Sequence, residues 1–107
     1  MRVVALVADL MDRSRLSAAV PDVEFVRDVS ETTGSDVVIL DLARHADAVA
    51  AISRVAPGAR IVAYGPHVDD VLLTRARSEG ATVVLPRSRF FRDPAAALAA
   101  PDGTVEA

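Results

Sequence analysis

Asp36-Val37-Val38-Ile39-Leu40-Asp41 sets four branched apolar residues in a row between two aspartates. A strand with one face in water alternates apolar and polar residues, because successive side chains point to opposite faces. Four apolar residues in succession fill both faces, which marks a strand buried inside a parallel sheet. Outward from this stretch, Val3 to Ala8, Ile61 to Tyr64 and Thr82 to Leu85 have the same unbroken character. A fifth run, Val23 to Val26, alternates as Val23-Glu24-Phe25 and reads as an edge strand with Glu24 in solvent.

Helical patterns fill the gaps. Asp12 to Val20 forms a short one, stopped by Pro21. From Ala43 to Ala56, the residues Ala46, Val49, Ile52, Ser53 and Ala56 share a face before Pro57-Gly58 ends the segment. The most fully signalled helix has Pro66 in its first turn, Asp69 and Asp70 at its N-terminus and Gly80 as its C-cap, with Val68, Val71, Leu72 and Ala76 as its apolar stripe. Asp28 to Ser35 has room for one or two turns, and Pro94 to Ala100 makes a short Ala-rich final helix. Strands alternating with helices through right-handed crossovers predict a doubly wound, flavodoxin-like α/β domain. Its five parallel strands run in the order 2-1-3-4-5 with helices on both faces. Residues 1–100 are expected to form it, with 101–107 as a disordered tail.

A chain of 107 residues suits one domain and one core. Half of it is hydrophobic but only 4% is aromatic, so the interior is built from small and β-branched side chains. The net charge of −3 gives no electrostatic reason to expect nucleic acid or an anionic membrane as partner. Without cysteine there is no disulfide, thiol nucleophile or thiolate metal site. The apolar run after Met1-Arg2 meets Asp9 too early for a signal peptide or a spanning helix, and the expected location is the cytoplasm.

In such sheets ligands bind beyond the carboxyl ends of the strands, where strand order reverses. Asp9 closes the first strand and Asp41 the third, so two carboxylates are expected to meet there. Their repulsion raises a pKa or invites a hard cation such as Mg²⁺. Each has a plainer reading as a loop or helix-capping aspartate. His45 and His67 follow the third and fourth strands and are candidates to complete a mixed His/Asp metal site, although neither has ligand spacing with a partner. No glycine-rich phosphate loop, nucleophile elbow or zincin motif is present.

Leu6-Val7-Ala8-Asp9, Asp36-Val-Val-Ile-Leu-Asp41 and Gly80-Ala81 leading to Leu85-Pro86 resemble the landmarks of a response-regulator receiver domain across nearly the whole chain. The resemblance implies two-component signalling. Asp41 would accept a phosphoryl group from a histidine kinase, and Asp9 would help hold Mg²⁺ near the carbonyl of Ala43. Several positions depart from the family. Asp9-Leu10 stands in place of an acidic pair, unless Asp12 reaches back. Tyr64-Gly65 stands where the family has a Thr or Ser hydroxyl. Leu85-Pro86 replaces the Lys-Pro pair, leaving Arg87 as the nearest cation, placed to pair with Asp41 or to lie free on its loop. Val83 and Val84 replace the switch aromatic.

Arg87, Arg89, Phe90, Phe91 and Arg92 crowd together after the last strand. If one Phe enters the core, the other is left among arginines, a composition typical of interface hot spots. In receivers the neighbouring helix face mediates dimers or partner docking. The resemblance therefore implies a stand-alone pseudo-receiver that binds a protein partner or itself, with no enzymatic activity beyond, at most, aspartyl phosphorylation. The alternatives are a working phosphoacceptor at Asp41 with Mg²⁺, and a small ligand- or metal-binding protein or enzyme using Tyr64 and His67.

Overall fold

Val37–Asp41 forms the central strand β3, every residue of it buried. In the computed structural model, which describes residues 1–66 and 70–105, it lies between β1 (Val3–Leu6) and β4 (Arg60–Gly65). β2 (Glu24–Phe25) flanks β1, and β5 (Val83–Pro86) and β6 (Thr104–Val105) continue beyond β4. All pairings are parallel, in the order β2-β1-β3-β4-β5-β6. The register pairs Leu6 with Leu40 and Asp41 with Tyr64, which aligns the carboxyl ends of the central strands at one edge. This is the doubly wound α/β arrangement expected, with one strand more.

Residue parity divides the core. Val4, Leu6, Val38, Leu40, Ala63 and Val84 face one way, against Val49 and Ile52 of α2 (Ala48–Val55) and Leu73 and Ala76 of α3 (Asp70–Ser78). Val3, Ala5, Val37, Ile39, Val62, Tyr64, Val83 and Leu85 face the other way. They meet Leu16 of α1 (Leu10–Ala19), Phe90 of α4 (Arg87–Arg92) and Ala97 of α5 (Pro94–Leu98). Full burial of each Leu, Ile or Val contributes about 1.5–3 kcal/mol, so both layers are needed to offset chain entropy. A 3-10 turn, Val29–Thr32, occupies the short segment before β3.

The sixth strand corrects the expectation of a disordered tail for residues 101–105; residues 106–107 lie outside the described residues. The guanidinium of Arg60, at the start of β4, binds the carbonyls of Leu98 and Ala100 and the carboxylate of Asp102. The Gly103 N–H donates to the Thr82 carbonyl at 2.8 Å. These anchors are distant in sequence, so local composition does not reveal them.

Helix boundaries shift for local reasons. α1 begins at Leu10 because Asp9 caps it. α2 begins at Ala48 rather than Ala43 because the backbone N–H groups of Arg44 and His45 turn back to the Asp41 carbonyl. α4 lies in a stretch for which the sequence pattern signals no helix; its six residues follow β5 directly and carry Phe90 into the core. In α3 the buried pair is Leu73 and Ala76, while Val71 is 80% exposed and not part of the stripe. Val71 and Leu73 are two residues apart, roughly 200° around the helix. Val68 and Asp69 lie outside the described residues. Gly80 has φ +119°, the left-handed conformation that ends α3 as predicted. Among the described residues no helix is long and apolar enough to cross a membrane.

Candidate functional site

The carboxyl ends of β1, β3, β4 and β5 open onto a cleft of about 240 Å³, with Asp9, Asp41, Arg44, Tyr64, Gly65 and Arg87 in its walls. Asp41 ends β3 and is 4% exposed. Its Oδ1 accepts the Ala43 N–H at 3.0 Å, a turn that aims the carboxylate at the cleft. Burial pushes this carboxyl above its ordinary range; the Ala43 hydrogen bond opposes the rise and the negative charge of Asp12 adds to it.

Asp9 takes the plainer of its two roles. It is the N-cap of α1, and its Oδ1 accepts the Asp12 N–H at 3.0 Å. That hydrogen bond holds its carboxyl below the usual value.

Asp12 is the residue on which the site is organised. It lies on the first turn of α1 and is fully buried. The Tyr64 hydroxyl donates to its Oδ2 at 2.9 Å, and the two terminal nitrogens of Arg87 each donate to one of its oxygens. A planar guanidinium and a carboxylate match in this two-pronged geometry, which is among the stronger charged contacts available to side chains. The hydrogen bonds from Arg87 to Asp12 raise the guanidinium's pKa further. Of the two outcomes open to Arg87 from the sequence, a pair with Asp41 or a free place on its loop, the structure takes neither: Arg87 pairs with Asp12. Arg87 still lowers the Asp41 pKa through space. Burial drives the Tyr64 phenol well above its usual value, and nearby Asp41 and Asp12 reinforce the shift.

Aromatic contacts fix this arrangement in place. Tyr64 stacks on Phe90 at 4.8 Å, and Phe91 meets both rings edge-on at 5.0 and 4.9 Å. Phe90 is buried, while Phe91 is half-buried with the guanidinium groups of Arg87 and Arg15 over its ring. Arg89 and Arg92 lie exposed on α4. Three of the four aromatic residues of the chain therefore cluster behind one ion pair.

The predicted residues divide accordingly. Asp9, Asp41, Tyr64 and Arg87 share the cleft. His45 lines a different, smaller pocket with Val7, Arg13 and Val26, and His67 lies outside the described residues. The sequence marks Asp12 only as an acidic residue placed to reach back to the pocket. Its signal was the Asp9-x-x-Asp12 spacing, a cap with an acidic residue three positions on.

The arrangement withdraws Asp12 from any Mg²⁺ site. Asp12 has its oxygens on Arg87 and Tyr64, Asp9 caps α1, and one Asp41 oxygen is taken by Ala43. Among the described residues no three His, Asp or Glu side chains group to hold a metal ion. The guanidinium supplies the positive charge that a cation would bring.

No protein-family model matches the chain, and no curated protein does. Solved structures match it in fold. A response regulator from Burkholderia pseudomallei, solved with a phosphorylated aspartic acid, a calcium ion and citrate, superposes with a TM-score of 0.72 at 15% identity. That match covers 90% of this chain and 64% of the other, so the chain spans less than two thirds of that neighbour's length. A CpaE2 pilus assembly protein from Sinorhizobium meliloti gives 0.70 at 14% identity, over 92% of this chain and 98% of the other. A LuxR family DNA-binding response regulator from Silicibacter pomeroyi gives 0.60 at 20% identity, over 92% and 93%. The chain has a receiver-like fold.

Proposed function

We propose that this chain is a pseudo-receiver, a receiver-like domain that acts in the cytoplasm by protein contact rather than by phosphoryl transfer. The observation that carries this reading is the Asp12–Arg87 ion pair with the Tyr64 hydroxyl on it. It occupies the acidic pocket with an internal cation. Two further departures support it. Gly65 offers no hydroxyl at the end of β4, and the Tyr64 hydroxyl is turned to Asp12. The exposed arginines of α4 and the half-buried Phe91 provide a contact surface for a partner or a second copy.

A working phosphoacceptor is the second reading, and one observation favours it: Asp41 ends β3 with its carboxylate in the cleft. An amide NMR titration separates the two. Mg²⁺ is added first, then a beryllofluoride mimic of the phosphoryl group. The pseudo-receiver reading expects an unmoved spectrum. Shifts at Asp9, Asp41 and Arg87 that spread to Phe90 and Phe91, and disappear in Asp41→Ala, would overturn it.

A further inference from the structure

On the face where α1 meets α4, a groove of about 490 Å³ is lined by Arg15, Arg87, Ser88, Phe91 and Arg92. Its walls hold three guanidinium groups and no carboxylate. Asp12, beneath it, offsets one charge and is bound by Arg87. Asp93, next along the chain, caps α5 by accepting the Ala96 N–H at 3.1 Å. In a chain of net charge −3 the groove is thus a local surplus of positive charge.

The groove also has an apolar element. The Phe91 ring carries the Arg87 guanidinium at 5.1 Å and that of Arg15 at 5.7 Å. Such stacking holds long side chains in place before any partner arrives, which lowers the ordering cost of binding. Met11 lies one turn before Arg15 on α1, hence on the same helix face, and is 66% exposed.

We propose that this groove docks an acidic amphipathic segment of a protein partner. Its carboxylates pair with Arg15, Arg92 and the outer edge of Arg87, and an apolar side chain covers Phe91 and Met11. The proposal rests on the pseudo-receiver reading and adds the partner's chemistry to it. Single exposed ion pairs are weak, so affinity comes from several preordered guanidinium groups around one aromatic anchor. Charge favours a peptide over nucleic acid, since the adjoining pockets that share Arg87 and Arg92 with the groove bring in the carboxylates of Asp9, Asp41 and Asp93, which a continuing phosphate backbone would meet.

The probe is a short fluorescent peptide with Glu on one helical face and Leu on the other, titrated into the whole chain by anisotropy and amide NMR. Controls are the same peptide with Lys for Glu and a labelled single-stranded oligonucleotide. Shifts are expected at Arg15, Ser88, Phe91 and Arg92 with the Glu peptide alone. Arg15→Glu/Arg92→Glu should weaken binding by on the order of tenfold or more, and added salt should weaken it in the parent chain. Ser88→Asp, which leaves every arginine in place, should weaken it too. Three outcomes would overturn the proposal: no binding of the Glu peptide, binding indifferent to both variants, or binding of the oligonucleotide in its place. Failure of the peptide with an unmoved beryllofluoride spectrum removes the groove and leaves the pseudo-receiver reading. A live Asp41 removes that reading whatever the peptide does.

Discussion

The Tyr64 hydroxyl, at the end of β4, donates to Oδ2 of Asp12 on α1 across 2.9 Å, joining two groups 52 residues apart in the chain. Tyr64 lines the cleft and Asp12 lies buried behind it, so the contact determines how the surrounding charges respond to mutation and pH.

Tyr64→Phe keeps the ring stack and deletes this bond, and should cost about 1–2 kcal/mol in urea unfolding. Tyr64 is the one tyrosine of the chain, so its ionisation can be followed by absorbance. Its folded pKa is raised above the ordinary 10.0, so above pH 10 the unfolded state gives up a proton that the folded state keeps. Stability contributed by Tyr64 is therefore present below pH 10 and declines as pH rises beyond it. Tyr64→Phe should lack this part of the alkaline decline.

Arg87→Met strands the fully buried Asp12 carboxylate. Breaking a buried pair costs about 3–5 kcal/mol, and with the Arg87 side chain 44% exposed the expected loss is smaller, about 2–3 kcal/mol. Adding Asp12→Asn removes the stranded charge while keeping an acceptor for Tyr64. The double variant should be more stable than Arg87→Met alone, measured by chemical denaturation.

Asp41 has the same sign of pH dependence as Tyr64, in the acidic range. Burial raises its folded pKa above 3.8, so through that window the folded state holds a proton that the unfolded state has released. Its stability contribution is present at lower pH and is lost as pH rises through the folded value. Asp41→Asn keeps an acceptor for the Ala43 N–H and has no charge to desolvate. The melting temperature of Asp41→Asn relative to the parent should be higher at pH 7 than at about pH 3.

Position 65 has little room for a hydroxyl-bearing side chain. A Cβ placed there lies 3.1 Å from Cδ2 of Leu73 and 3.3 Å from Cβ of Leu42, inside the α3-facing core. Gly65→Thr should lower stability by about 1–3 kcal/mol through overpacking, with Gly65→Ala less severe. Thermal melts of the two variants test the order.

Arg60→Ala should loosen the C-terminal segment without unfolding the sheet. The guanidinium gathers Leu98, Ala100 and Asp102, and Gly103 follows in hydrogen bond to Thr82. Hydrogen exchange at the Gly103 amide should rise while the amides of β3 remain protected, since edge segments open locally at lower free energy than core strands.

The unbroken apolar runs at Val3, Val37, Ile61 and Val83, and the stop signals Pro57-Gly58 and Gly80, were enough by themselves to determine a parallel α/β sheet and the neighbourhood of Asp9 and Asp41. Periodicity and turn chemistry are local properties, so the order of residues carries them. Which charges pair is not local. Asp12 and Arg87 are 75 residues apart, and the choice of Asp12 over Asp41 depended on where Phe90 and Phe91 seat α4 against Tyr64. The same holds for the last strand, held by an arginine 42 residues from Asp102. Burial and long-range electrostatics act only once the layers have closed, and for that reason the tertiary structure alone decided whether the cleft of this protein holds a free acidic pocket or one already filled by its own guanidinium.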